Sequence, residues 1–105
     1  MARFGMVVRF TLRPGTGEAF DALMQDTLVG IRNDEPGTLV YAVHTVVGEP
    51  DVRIFYELYA SDDALAEHEA QFTTRRFLDR WDDYVEAVEV DRLRPVVAKL
   101  GARDQ

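Results

Sequence analysis

The chain has 105 residues, a formal net charge of −7 and no cysteine, and its 47% apolar and 30% charged content is that of one folded globular domain. The absence of cysteine excludes disulfides and thiol chemistry and favours a cytoplasmic protein. The acidic balance disfavours nucleic acids and anionic membrane surfaces as partners, and no apolar run approaches the roughly 20 residues of a membrane span.

The first half of the chain predicts a strand, a helix and a second strand. Apolar residues recur with period two from Phe4 to Leu12, which is typical of a half-buried strand. Thr16 is a candidate N-cap for a helix whose apolar residues follow helical spacing from Phe20 to Ile31. Pro36-Gly37 ends this helix, and residues 38–47 form a strand that is apolar on both faces.

The second half repeats this order. Residues 48–51 are typical of a hairpin loop, and a third strand covers about 52–60. Ser61 is expected to cap a helix, whose buried stripe would be Ala64, Leu65, His68 and Phe72. Thr73-Thr74 interrupts the pattern before a short helix that Thr74 could cap, and residues 88–93 predict the last strand.

This order predicts an α+β protein with a ferredoxin-like βαββαβ sandwich, in which a four-stranded antiparallel sheet carries its helices on one face. We expect a single domain over 1–105, with a core at 3–96 and a C-terminal arm at 97–105. The other face of such a sheet normally alternates apolar and polar residues, yet the second strand is apolar there as well. A second copy covering that face would explain the pattern, so we expect a homodimer.

Three motifs carry a resemblance to a known family. Glu35-Pro36-Gly37-Thr38-Leu39-x-Tyr41, Phe55-Tyr56-Glu57-Leu58-Tyr59 and Ala64-Leu65-x-x-His68 follow one another in the chain. In this order they resemble the antibiotic biosynthesis monooxygenase family, particularly its quinol-monooxygenase-like members. The resemblance implies a dimeric α+β barrel with a pocket between sheet and helices in each subunit. It also implies oxidation of small phenols or quinols by dioxygen without a cofactor.

The haem-degrading branch of that family uses a histidine near the later helix as iron ligand. Residues 72–77 contain no histidine here, and Arg76 stands where many members carry one. His44 and His68 lie on different predicted elements without metal-binding spacing, and no glycine-rich phosphate loop follows a strand. We therefore expect no metal, haem, flavin or nucleotide, and we expect His44 at the dimer face.

His68 and Glu57 are the candidate catalytic residues. An unperturbed imidazole can accept a phenolic proton near neutral pH. Without the family resemblance, however, the sequence favours a core histidine bonded to a carboxylate or to the backbone. Glu57 lies among aromatic residues on a central strand, where it could act as a second base or orient His68. The structural alternative is an ion pair of Glu57 with Arg9 or Arg53.

Aromatic residues could line a pocket for a planar substrate, although aromatics at helical spacing are more often plain core. The candidates are Tyr41, Tyr59, Phe72, Phe77 and Trp81. Three functions remain open: a cofactor-independent monooxygenase of a small phenol or quinol, an isomerase or other acid–base enzyme, and a non-catalytic dimeric ligand-binding module.

Overall fold

The computed structural model describes residues 2–99, so the end of the predicted C-terminal arm lies outside the described residues. Its elements are β1 (Phe4–Leu12), α1 (Gly17–Asp34), β2 (Thr38–Val46), β3 (Glu49–Tyr59), α2 (Asp62–Ala70), α3 (Phe72–Arg80), a 3₁₀ turn (Trp81–Asp83) and β4 (Val85–Leu93).

The four strands form one antiparallel sheet in the order β2-β3-β1-β4, which places β3 and β1 at its centre. This confirms the predicted α+β, ferredoxin-like fold. In the register of the sheet, Glu57 lies opposite Met6 on one side and Tyr41 on the other. Because directly paired residues share a face, these three side chains lie on the same side of the sheet.

The core lies between the sheet and the helices, with aromatic rings at its centre. Phe10 packs against Phe20, Phe55 and Phe77 at centroid distances of 5.6, 4.8 and 6.3 Å. Helices α1 and α3 meet closely at Gly30, where an added Cβ would lie 2.2 Å from Thr73 Oγ1. Glycine at this position therefore sets the spacing between the two helices that cover the sheet.

The helices after β3 differ from the predicted ones. Ser61 caps α2 by accepting a hydrogen bond from Ala64 N at 3.2 Å, as predicted. The interruption falls at Gln71, whose backbone is extended, rather than at Thr73-Thr74. Phe72 therefore opens α3 and is 76% exposed instead of extending the buried stripe, while Thr74 is buried inside α3 and does not cap it.

The hairpin between β2 and β3 is also shorter than predicted. Val47 and Gly48 alone connect the strands, and Gly48 has a φ of +84° that favours glycine. Pro50 belongs to β3, which is possible because it stands near the start of the strand.

Within residues 2–99, no helix is both long enough and apolar enough to cross a membrane.

Candidate functional site

A cavity of about 140 Å³ lies between the helix-facing side of the sheet and helices α2 and α3. Strands β1, β2 and β3 supply Met6, Val8, Phe10, Tyr41, Phe55 and Glu57, and the helices supply Leu65, His68, Glu69, Thr74, Phe77 and Leu78. The walls are mostly apolar, and the polar groups converge from β2, β3 and the two helices.

His68 is held by a carboxylate that comes from the other half of the chain. Its Nδ1 lies 2.7 Å from Oε1 of Glu35, and each residue is only 5% exposed. Glu35 follows the end of α1, whereas His68 faces the sheet from α2. An ionised carboxylate only accepts hydrogen bonds, so Nδ1 carries the proton and Nε2 remains the basic nitrogen.

Further hydroxyl groups complete this pair. Thr38 Oγ1 donates to Glu35 Oε1 at 2.8 Å, and Thr74 Oγ1 lies 3.4 Å from His68 Nδ1. The second carboxylate oxygen of Glu35 is buried and has no hydrogen-bond partner among the described residues. These bonds fix the pair in position, while the second oxygen of Glu35 remains a free hydrogen-bond acceptor among the described residues.

Glu57 has no lysine or arginine partner among residues 2–99, so the structural alternative of an ion pair with Arg9 or Arg53 is not formed. Arg9 instead lies 3.1 Å from Glu49, and Arg53 forms a two-pronged pair with Asp21 at 2.8 and 3.0 Å. Glu57 accepts a short hydrogen bond from the Tyr59 hydroxyl. Burial raises the pKa of Glu57 above its ordinary value of 4.5, and the Tyr59 bond and His68 only partly offset this.

The geometry of the sheet explains why the two arginines do not reach Glu57. Arg9 pairs with Ile54 across β1 and β3, which places it on the face opposite to Glu57. Arg53 shares the face of Glu57 but lies four residues away along β3, or about 13 Å at roughly 3.3 Å per residue.

Two tyrosines flank His68. The ring of Tyr41 lies 5.3 Å from the imidazole and that of Tyr59 lies 5.6 Å from it. Burial, followed by the nearby Glu57 charge, raises the pKa of both phenols far above the ordinary value of 10.0. Both hydroxyls therefore remain protonated at neutral pH and can act only as hydrogen-bond donors or acceptors, not as bases.

Of the other predicted pocket residues, only one lines the cavity among the described residues. Phe77 lines the cavity, whereas Tyr59 is fully buried behind it. Trp81 packs 6.0 Å from Phe10 at the margin of the core and does not line the cavity. Phe72 is exposed at the start of α3 and is also absent from the lining.

Glu35 and Thr74 were missed as site residues by the sequence analysis. Glu35 stands in a helix-ending Asp-Glu-Pro-Gly segment, where acids are usually solvated, and its partner is 33 residues away. The only available signal was the place of Glu35 at the head of the first family motif. Thr74 was interpreted as a helix cap, which predicts a half-exposed hydroxyl instead of a buried one.

Among the residues that the structure describes, no group of three or more His, Asp or Glu side chains is arranged to hold a metal ion.

Comparison with known proteins identifies the family. The sequence profile of the antibiotic biosynthesis monooxygenase family matches residues 3–80. A search among curated proteins found no significant match. A solved structure from Caulobacter crescentus CB15, provisionally described as an antibiotic biosynthesis monooxygenase, is 26% identical with a TM-score of 0.83, and the match covers 91% of this chain and 92% of that one.

Two further structures are similar in fold. A protein from Bacteroides thetaiotaomicron VPI-5482, with the same provisional description, is 20% identical, covers 97% of both chains and has a TM-score of 0.89. Rv0793 from Mycobacterium tuberculosis is 22% identical, with 92% of this chain and 98% of that one covered and a TM-score of 0.83. The family profile spans most of the chain and both structures share its fold, so this protein belongs to the antibiotic biosynthesis monooxygenase family.

Proposed function

We propose that this protein is a cofactor-independent monooxygenase that oxidises a small phenol or quinol with dioxygen, using His68 as the general base. The observation that carries the proposal is the buried Glu35–His68 pair at the wall of an apolar cavity. Family membership supports monooxygenase chemistry in general, and the pair supports its first step, the removal of a phenolic proton.

The proton transfer follows from the hydrogen bonding of the imidazole. Glu35 occupies Nδ1, so a phenolic O–H placed in the cavity would meet Nε2 as acceptor. The imidazolium formed in this step would keep its bond to the Glu35 carboxylate, which stabilises the positive charge. Glu35 is therefore proposed as the residue that positions His68 and stabilises its charged form.

The remaining steps need electrons, and the substrate supplies them. The phenolate or quinolate is electron-rich and reacts with dioxygen at a ring carbon. One oxygen atom forms a new C–O bond and the other leaves as water, while the ring is oxidised to a quinone. The apolar side chains of Phe10, Phe55 and Phe77 would exclude bulk water from the reacting anion.

A second candidate function is acid–base isomerisation of a small oxygenated metabolite without dioxygen. The raised pKa of Glu57 favours it, because a protonated carboxyl near His68 would supply an acid to match the base. The two functions differ in whether dioxygen is consumed.

We also propose that the protein works as a cytoplasmic homodimer with a small molecule as its ligand. The face of the sheet opposite the helices carries Val7, Val40, Ala42, Ile54 and Tyr56, all only half-buried. Val96 and Val97 are 93% and 90% exposed after β4. A second copy packed on this face would remove these apolar side chains from water.

Oxygen consumption with a panel of hydroquinones and phenols tests the proposal. The wild-type protein should consume dioxygen with at least one quinol, and His68→Ala should lower kcat by roughly 10²–10⁴-fold. Glu67→Ala, an exposed position on the same helix, is the matched control and should leave kcat unchanged. Absence of oxygen uptake across the panel would refute the monooxygenase, and equal rates for His68→Ala and wild type would remove His68 from the chemistry.

A further inference from the structure

A second cavity of about 400 Å³, here called the outer groove, lies between α1 and the free edge of β2. Its lining consists of Asp21, Met24, Gln25 and Leu28 from α1, Tyr41, Ala42, Val43, His44 and Thr45 from β2, and Arg53 from β3. Apolar side chains dominate near Tyr41, and the Asp21–Arg53 pair adds polar groups to the lining.

Tyr41 lines both the outer groove and the cavity that contains His68. Its ring lies 5.3 Å from the His68 ring and 5.9 Å from Phe55, so it stands at the wall of the inner cavity. No residue within 2–99 forms a hydrogen bond with its hydroxyl, which leaves a neutral donor at the boundary between the two spaces.

The inner cavity is smaller than most ligand pockets. Ligand pockets usually enclose about 300–1,000 Å³, whereas the inner cavity has about 140 Å³. The two cavities together offer about 540 Å³, which falls within that range. An aromatic ring beside His68 would fill the inner part, and the rest of a larger ligand would have to lie past Tyr41.

We infer that the outer groove is a second subsite that continues the inner cavity past Tyr41, and that the substrate is a phenol or quinol with an apolar side chain. This inference rests on the proposed function for the identity of the ring. The side chain lies along Tyr41, Val43 and Thr45, which span about 13 Å of β2 at roughly 3.3 Å per residue. Met24 and Leu28 cover it from α1.

The test compares two probes, methylhydroquinone and octylhydroquinone. For the wild type, kcat/KM should be at least tenfold higher with the octyl probe, because burial of the added methylene groups favours its binding. Leu28 lines the outer groove and not the inner cavity, so Leu28→Trp should fill the groove and abolish the preference for the octyl probe. Val29→Trp, an exposed neighbour on α1, is the matched control and should retain the preference.

A binding measurement separates this inference from the proposed function. The dimethyl ether of octylhydroquinone cannot lose a phenolic proton, so its binding can be followed by NMR in the absence of turnover. We expect it to shift the methyl signals of Leu28 and Val43 in the wild type and to lose affinity for Leu28→Trp. These shifts would support the subsite even if no quinol were oxidised.

Two results would overturn the inference and leave the proposed function intact. The first is equal kcat/KM for the two probes with wild-type protein that oxidises both. The second is binding of the ether without any shift at Leu28 or Val43.

Discussion

Gly37→Ala should move the helix that carries His68. A Cβ added at Gly37 would lie 2.6 Å from Ala64 Cβ, and ordinary contact begins at 3.4 Å, so the two segments must separate by about 0.8 Å. Ala64 lies one helical turn before His68 on α2. The same displacement would lengthen the His68–Glu35 contact from 2.7 Å to about 3.5 Å, the outer limit of a hydrogen bond.

The cost of this overpacking should be about 1–3 kcal/mol in the free energy of unfolding. For a domain of this size each kcal/mol corresponds to roughly 4–8 °C in Tm. Urea denaturation gives the free energy directly, and NMR of the His68 Nδ1–H proton reports the bond to Glu35. We expect that proton signal to weaken or disappear through faster exchange with water.

Ala64→Gly provides the matched control, since it removes the atom against which the new methyl group collides. Alone it should cost about 1 kcal/mol, the usual penalty of glycine inside a helix. Combined with Gly37→Ala it should relieve the collision, so the double variant should be more stable than the sum of the single effects by at least about 1 kcal/mol. Additive effects, or a Gly37→Ala protein as stable as wild type, would refute the close contact.

Three other predictions concern buried polar groups and helix packing. Asp21→Asn should lower the free energy of unfolding by about 1–3 kcal/mol because it weakens the pair with buried Arg53; the loss is limited because the Asp21 side chain is 40% exposed. The control is Asp26→Asn, which alters the exposed pair with Arg76 and should cost less than about 1 kcal/mol in the same urea assay. Gly30→Ala should destabilise the protein by about 1–3 kcal/mol through collision with Thr73, and a Tm within 2 °C of wild type would contradict this. Glu57 has a raised pKa, so it contributes stability that is present below pH 4.5 and is lost as the pH rises through the folded-state pKa; Glu57→Gln should therefore gain stability relative to wild type on going from pH 4 to pH 8, and parallel pH profiles would contradict the shift.

The fold could be predicted from the sequence because its signals are local. Alternation along β1 and helical spacing along α1 each depend on residues only a few positions apart, and the order of the elements leaves few topologies. The orientation of His68 towards the sheet followed from the same spacing. The break between α2 and α3 was misplaced because two threonines suggested a cap, whereas the extended backbone at Gln71 has no such signature.

The partners of the site residues were less accessible. The Glu35–His68 bond joins residues from the two halves of the chain and depends on how α2 packs over the start of β2. The charge pattern left open an ion pair of Glu57 with Arg9 or Arg53, whereas the register of β1 and β3 places Arg9 on the opposite face. Pairs of side chains that are far apart in the sequence depend on tertiary packing, and local patterns in one sequence do not predict them.

Within residues 2–99, no lysine or arginine pairs with Glu35 or Glu57, and this affects which molecules can enter the inner cavity. When both carboxyls are ionised, the cluster holds two negative charges against at most one imidazolium, in surroundings where charges are weakly screened. Carboxylate- or phosphate-bearing metabolites would be repelled from the inner cavity, whereas a neutral phenol would enter without this penalty. The inner cavity should therefore discriminate between candidate ligands by their charge as well as by their shape.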